Sequence, residues 1–177
     1  LFLHEAKNQA YLTHQNIAKI FDYYECDGVG HIVMEYVHGK TLCRFPHLIK
    51  PDTKGLNELL QIFEQTTEGI IYAHSCNVIH RDIKPSNIMY NPDTKTVKII
   101  DFGLSKRREI KRDETCIFGG TLYYNIPPEV IRAQEDDSLR DTINEEKRDI
   151  FGLGVTIYHM ITGTVPYKSN NWRRQPA

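Results

Sequence analysis

Asp82, Lys84 and Asn87 lie close together in the run His80-Arg81-Asp82-Ile83-Lys84-Pro85-Ser86-Asn87, and Asp101-Phe102-Gly103 begins fourteen residues after Asn87. A positioned carboxylate can take a proton from a reacting group. Carboxylate and amide oxygens are also the hard ligands that Mg²⁺ prefers. An ammonium two residues from the carboxylate can offset negative charge that develops during a transfer.

Such residues need a rigid base. The short apolar runs Val78-Ile79 and Val97 to Ile100 read as strands, with the turn residues Asn91-Pro92-Asp93 between them. Upstream, Leu56, Leu59, Leu60, Phe63, Ile70, Ile71 and His74 follow the i, i+3, i+4, i+7 rule and predict an amphipathic helix. Leu1 to Leu12 reads as a helix of mixed polarity. Ile17 to Tyr24 and His31 to Val37 read as two strands around Asp27-Gly28, and Gly39, Pro46 and Pro51 then break regular structure. Beyond Asp101, Pro127-Pro128 marks a corner. Gln134 to Glu146 reads as a solvated surface loop, with partner docking as the alternative. Ile150 to Tyr167 carries no formal charge, but its threonines, His159, three glycines and Pro166 predict a buried core helix and no membrane span.

The 177 residues make one ordinary domain, with 22 Lys and Arg against 23 Asp and Glu and a formal charge of -1. That balance gives no electrostatic footprint for nucleic acid or an anionic membrane. Cys26, Cys43, Cys76 and Cys116 form no C-x-x-C pair for zinc or redox chemistry, and a reducing cytoplasmic compartment fits them best.

The two linked motifs resemble the H-R-D-x-x-x-x-N catalytic loop and the D-F-G of eukaryotic protein kinases, in the right order and separated by a strand-turn-strand. The resemblance implies an α+β kinase-like fold, mostly the helical C-terminal lobe with the C helix and two N-lobe strands. It implies Ser/Thr phosphoryl transfer with ATP and Mg²⁺: Asp82 accepting the substrate hydroxyl's proton, Lys84 beside the γ-phosphate, and Asn87 and Asp101 holding the metal. Lys84 is of the Ser/Thr rather than the tyrosine kinase type. Met34-Glu35-Tyr36-Val37 resembles the hinge, where the Glu35 carbonyl and Val37 N–H would bond adenine, Met34 would be the gatekeeper and Met89 would underlie the ring. Met89 also has a plain core-packing reading. Glu5 falls where the family's C-helix glutamate lies, although a helical Glu alone is usually a solvated charge. Thr121 would bridge Asp82 and Lys84, Asp149 would brace the catalytic-loop backbone or simply cap a helix, and His80 would pack on Phe102.

The Gly-rich phosphate loop and the strand lysine of the family would precede Glu5, so the resemblance implies a domain truncated at both ends. Residues 1–37 are then an N-lobe remnant with the start of the hinge, and 38–177 an incomplete C-lobe. Such a piece alone is expected to be poorly soluble and inactive, with an open sheet edge. Gln9 stands where the family usually has an apolar residue, and Ile126-Pro127-Pro128-Glu129 is one residue longer than the usual corner. Arg81 with Lys106, Arg107 and Arg108 could receive a phosphate on Thr115, placed there by an upstream kinase; an unmodified Thr in an exposed basic loop is the other reading. His80 to Met89, the Gln134 to Glu146 insertion and Gly154 to Gly163 look like the IKK-related, TANK-binding-kinase branch. A pseudokinase or scaffold that docks partners without catalysis is the alternative to an enzyme.

Overall fold

The computed structural model describes residues 10–102, 106–107, 124, 126–136, 138–139 and 143–166, and its architecture is α+β. Strands β1 (Ile20–Cys26) and β2 (Val29–Met34) form an antiparallel hairpin. Its turn residues Asp27 and Gly28 have φ of 53° and 73°, the two-residue geometry that matches the right-handed twist of the strands. Next come β3 (Lys40–Thr41) and two 3-10 turns, Leu42–Arg44 and Pro46–Leu48, then helix α1 (Thr53–Ser75) and β4 (Val78–Ile79). After the loop that carries Asp82 come β5 (Ile88–Asn91) and β6 (Thr96–Ile99), joined by the expected Asn91-Pro92-Asp93 turn. The sheet order is β3-β5-β6, all antiparallel, while β4 pairs with β7 (Lys106–Arg107).

β1 starts three residues later than the expected strand because Ile17 and Ala18 are drawn to β6. Ile17 forms a parallel bridge with Ile99, and the Ala18 N–H donates to the Ile99 carbonyl at 2.9 Å. β2 stops at Met34, so Glu35 to Val37 lie in a connection rather than in the strand. At its far end Gly39, with φ of 127°, lies so near β5 that a Cβ would sit 2.3 Å from the Tyr90 carbonyl oxygen. Only glycine fits there.

α1 begins before Leu56 because the Asp52 side chain accepts a hydrogen bond from the Gly55 N–H at 2.8 Å, an N-cap. Its buried face is also turned from the expected one. Leu59, Ile62, Phe63 and Ile70 are buried together with Thr66, Gly69 and Ala73, whereas Leu60 and Ile71 are 59% and 63% exposed. The close approach of the helix to β6 explains the small residues: a Cβ on Gly69 would lie 2.9 Å from Ile99 Cδ1. The core gathers this face with Leu42, Leu48, Ile83, Val97, Leu153 and Met160.

Helices α2 (Pro128–Glu135) and α3 (Glu145–Thr162) shorten the expected loop at 134–146 from both ends. Gln134 and Glu135 end α2, Glu145 and Glu146 open α3, and Ile143 between them is buried against Val130 and Ala133. The Pro127-Pro128 corner is the start of α2, with Pro128 where a helix needs no N–H. α3 starts before Asp149 because Asn144 caps it, accepting from the Glu146 and Lys147 N–H groups. It ends on Gly163 at φ of 73°. α3 is also less enclosed than expected: Asp149, Leu153, Thr156 and Met160 are buried, but Ile150, Tyr158 and Ile161 are open to solvent. Among the described residues no helix is long and apolar enough to cross a membrane. The expected helix at Leu1 to Leu12 lies almost wholly outside the described residues.

Candidate active site

β4 leads directly into the loop. Asp149 on α3 holds this loop by its backbone: Oδ2 accepts from the His80 N–H at 2.9 Å and Oδ1 from the Arg81 N–H at 2.7 Å. His74, near the end of α1, adds its Nε2 to Asp149 Oδ2 at 2.8 Å. Arg81 is thereby fixed at φ of 69°, an uncommon conformation for a long side chain. Its buried guanidinium pairs with Glu145 at 2.8 Å, and the same carboxylate takes Arg148 at 3.3 Å. Further along α3, the Thr156 hydroxyl reaches the Ile83 carbonyl at 3.4 Å.

The chemistry-bearing residues meet on this base. Lys84 Nζ lies 2.5 Å from Asp82 Oδ2, and Asn87 Nδ2 donates to the same oxygen at 3.1 Å and to the Asp82 carbonyl at 3.0 Å. The 3-10 turn Pro85–Asn87 supplies that reach back, and the Ile100 N–H bonds the Asn87 carbonyl at 2.9 Å, tying the loop to the end of β6. Asp101 follows at once, exposed, with φ of 62°. Two non-glycine residues in the left-handed region thus flank the site, where such backbone strain commonly collects. Phe102 is buried with its ring 4.5 Å from His80, whose Nε2 also meets the Ile100 carbonyl at 3.2 Å.

The connection after β2 is tied down through Glu35. Its N–H donates to the Lys19 carbonyl at 2.8 Å, and its carboxylate accepts from the Lys19 N–H at 3.1 Å and pairs with Lys98 Nζ on β6 at 2.9 Å. Burial alone would raise the Glu35 carboxyl, but the bonds from Lys98 and the Lys19 N–H and the two lysine charges outweigh it and hold it below the ordinary value. Met89 on β5, half-buried, stands in register with Lys98 on one side and Thr41 on the other. Met34 is part-exposed at the end of β2, and Val37 is half-buried.

A depressed carboxylate adds stability above its unfolded pKa, and that stability is lost as pH falls through the folded value. Lys98→Met is therefore expected to cost no more than about 1 kcal/mol at pH 7, since the pair is partly exposed. The difference from wild type in denaturant unfolding should shrink as pH falls through the range in which the Glu35 carboxylate takes up its proton.

Tyr124 lies partly buried between two elements. Its hydroxyl meets His159 Nδ1 on α3 at 2.5 Å, and burial, followed by the nearby Cys43 thiol, raises its phenol. Of the other expected residues, Glu5, Gln9, Gly103, Thr115 and Thr121 lie outside the described residues, as do Arg108 and the Lys106 and Arg107 side chains.

The family model for the protein kinase domain matches residues 1–176. The chain belongs to the protein kinase family. Serine/threonine-protein kinases are among its relatives. A probable serine/threonine-protein kinase of Bifidobacterium longum is 33% identical over 171 residues, 96% of this chain and 21% of its own. The serine/threonine-protein kinase PrkC of Bacillus subtilis is 32% identical over 169 residues, 94% of this chain and 24% of its own. Calcium-dependent protein kinase 4 of Plasmodium berghei is 33% identical over 172 residues, 96% of this chain and 30% of its own. This kinase chain therefore spans between a fifth and a third of these relatives' lengths.

These residues fit a phosphate-borne Mg²⁺ in their donor chemistry. Asn87 spends its Nδ2 on Asp82, which turns its amide oxygen the other way, and Asp101 adds a carboxylate. Among the described residues no three His, Cys, Asp or Glu side chains gather into a metal cage. Two hard oxygen donors suit an ion that completes its shell with phosphate and water. The sequence reading missed His74 as a polar partner, and also Lys98, Glu145 and His159. Each acts across thirty-five residues or more, although His74 breaks an otherwise apolar helix stripe and could have been questioned.

Proposed function

We propose that this kinase domain, within its complete protein, transfers the γ-phosphate of ATP to Ser or Thr hydroxyls of protein substrates. The observation that carries this reading is the Asp82 carboxylate, met by both Lys84 and Asn87 on a loop pinned by Asp149. Asp82 orients the acceptor hydroxyl and takes its proton. Lys84, two residues on, sets its ammonium against the charge of the transferring group, and Thr121 steadies both. Asn87 and Asp101 hold Mg²⁺, which when bound neutralises charge on the phosphates. The Glu35 carbonyl and Val37 N–H receive adenine beneath Met34, with Met89 as its floor, and Glu5 supplies the C-helix carboxylate. In the finer placement we favour the IKK-related, TANK-binding-kinase branch, on the residues of the catalytic loop and of α3, and a cytoplasmic setting. An upstream kinase acting at Thr115 would have to draw Arg81 away from Glu145, with which it is already paired.

The test is phosphate transfer from radiolabelled ATP to casein by the complete protein and its Asp101→Asn variant. Transfer should fall about a hundredfold in the variant, with unfolding unchanged, as expected for loss of a charged metal ligand. Equal rates, or no transfer from wild type, would leave a docking scaffold as the better reading.

A further inference from the structure

The charge of this chain is unevenly spread. Residues 38–54 carry Lys40, Arg44, Lys50 and Lys54 against a single carboxylate, Asp52, although the whole chain has a formal charge of -1. All four cations are exposed, and none pairs with a carboxylate among the described residues. Asp52 does not answer them, because its side chain is spent on the Gly55 N–H at the start of α1. The next carboxylates on either side in sequence, Glu35 and Glu58, are spent on Lys98 and Lys95. An anionic chain arriving here therefore meets positive charge that nothing has yet neutralised.

The four cations differ in place. The Lys50 stem runs beside Gly163 at the end of α3, and Lys54 stands in the first turn of α1. Lys40 lines a cleft with Asp93 on the turn between β5 and β6. Arg44 ends the 3-10 turn Leu42–Arg44, which packs against Pro85–Asn87, the turn that brings Asn87 onto Asp82. An extended acceptor chain advances about 3.3–3.6 Å per residue, so residues a few positions from a hydroxyl seated at Asp82 pass over this flank. We propose that Arg44 is a specificity-determining residue, selecting acceptor proteins that carry Asp or Glu close to the phosphorylated Ser or Thr. This rests on the phosphotransferase reading above and narrows it to a class of substrate. Because Arg44 is exposed, its pull acts on capture of the acceptor and is weakened by salt.

The experiment uses the complete protein and three synthetic peptides of equal length, each with one serine flanked on both sides by glutamate, glutamine or lysine residues. The KM for the glutamate peptide should be about three- to fivefold below that for the glutamine peptide, the range of one exposed ion pair, and the gap should close in 0.5 M NaCl or so. Arg44→Glu should reverse the order and make the lysine peptide the better acceptor, with the ATP KM within about twofold of wild type. Arg44→Lys should keep the wild-type order. Lys54→Glu makes the same charge change away from the catalytic loop and should move no peptide KM more than about twofold. An unchanged order in Arg44→Glu, or an equal shift in Lys54→Glu, would overturn the role of Arg44. A wild type that phosphorylates casein without favouring the glutamate peptide overturns the inference alone, whereas a wild type that moves no phosphate to any acceptor overturns the kinase reading and this inference with it.

Discussion

Asp82→Asn in the complete protein is expected to lower kcat about a thousandfold while the KM for ATP changes less than threefold or so. The substitution is nearly isosteric and keeps an oxygen for Asn87 Nδ2 to meet at the position now 3.1 Å away. It removes the group that can take a proton and the negative partner of the Lys84 ammonium. Lys84 is only part-buried, so its uncompensated charge remains in contact with water and the fold should survive. A general base that acts in the transition state affects kcat and kcat/KM alike, which separates this outcome from a binding defect. Steady-state transfer to casein at varied ATP, alongside a melting curve, measures both. Retention of more than about a tenth of the rate would mean that proton removal is not what Asp82 does.

Asp149→Ala should produce the second large effect, this time on stability. The carboxylate is buried and accepts from the His80 and Arg81 N–H groups and from His74. Truncation leaves two buried backbone donors with no acceptor, at about 1–3 kcal/mol each. It also releases Arg81, whose φ of 69° is held by that bond and by Glu145. A total loss of about 3–5 kcal/mol is expected, read as a shift in the denaturant midpoint with the slope unchanged. Asp149→Asn should fall between, because the amide still accepts one N–H but presents an NH₂ to the other. A loss below about 1 kcal/mol would show that the loop is held by its other contacts.

The meeting of Asp82, Lys84 and Asn87 was legible in the sequence because it is local. Asp82, Lys84 and Asn87 need only a short loop and one 3-10 turn to meet, and Pro85 fixes that turn. The long helix was legible in kind but not in facing. Counting large apolar residues put Leu60 and Ile71 inside, whereas close packing on β6 selected Gly69, and the larger pair is left in solvent. Periodicity sees side-chain polarity but not how near a neighbouring backbone comes. The same limit hid Glu145, which looked like part of an acidic surface run and instead pairs with two buried arginines. Lys98 and His159 carry no signal of their own, since their partners Glu35 and Tyr124 are distant in the chain and ordinary in type.

α3 meets two different segments from three fixed positions: Asp149 holds His80 and Arg81, Thr156 reaches Ile83 in the same loop, and His159 takes Tyr124. At about 100° and 1.5 Å per residue, a single added or deleted position between Asp149 and Thr156 would swing every later side chain by more than a quarter turn. Asp149 would stay on the loop while Thr156 and His159 pointed elsewhere. Composition is freer than length: a side chain at Gly154 would meet nothing within 4 Å. Descendants of this chain can therefore rewrite the letters on the outer side of α3, but the count of letters between its three anchor points is closed to change.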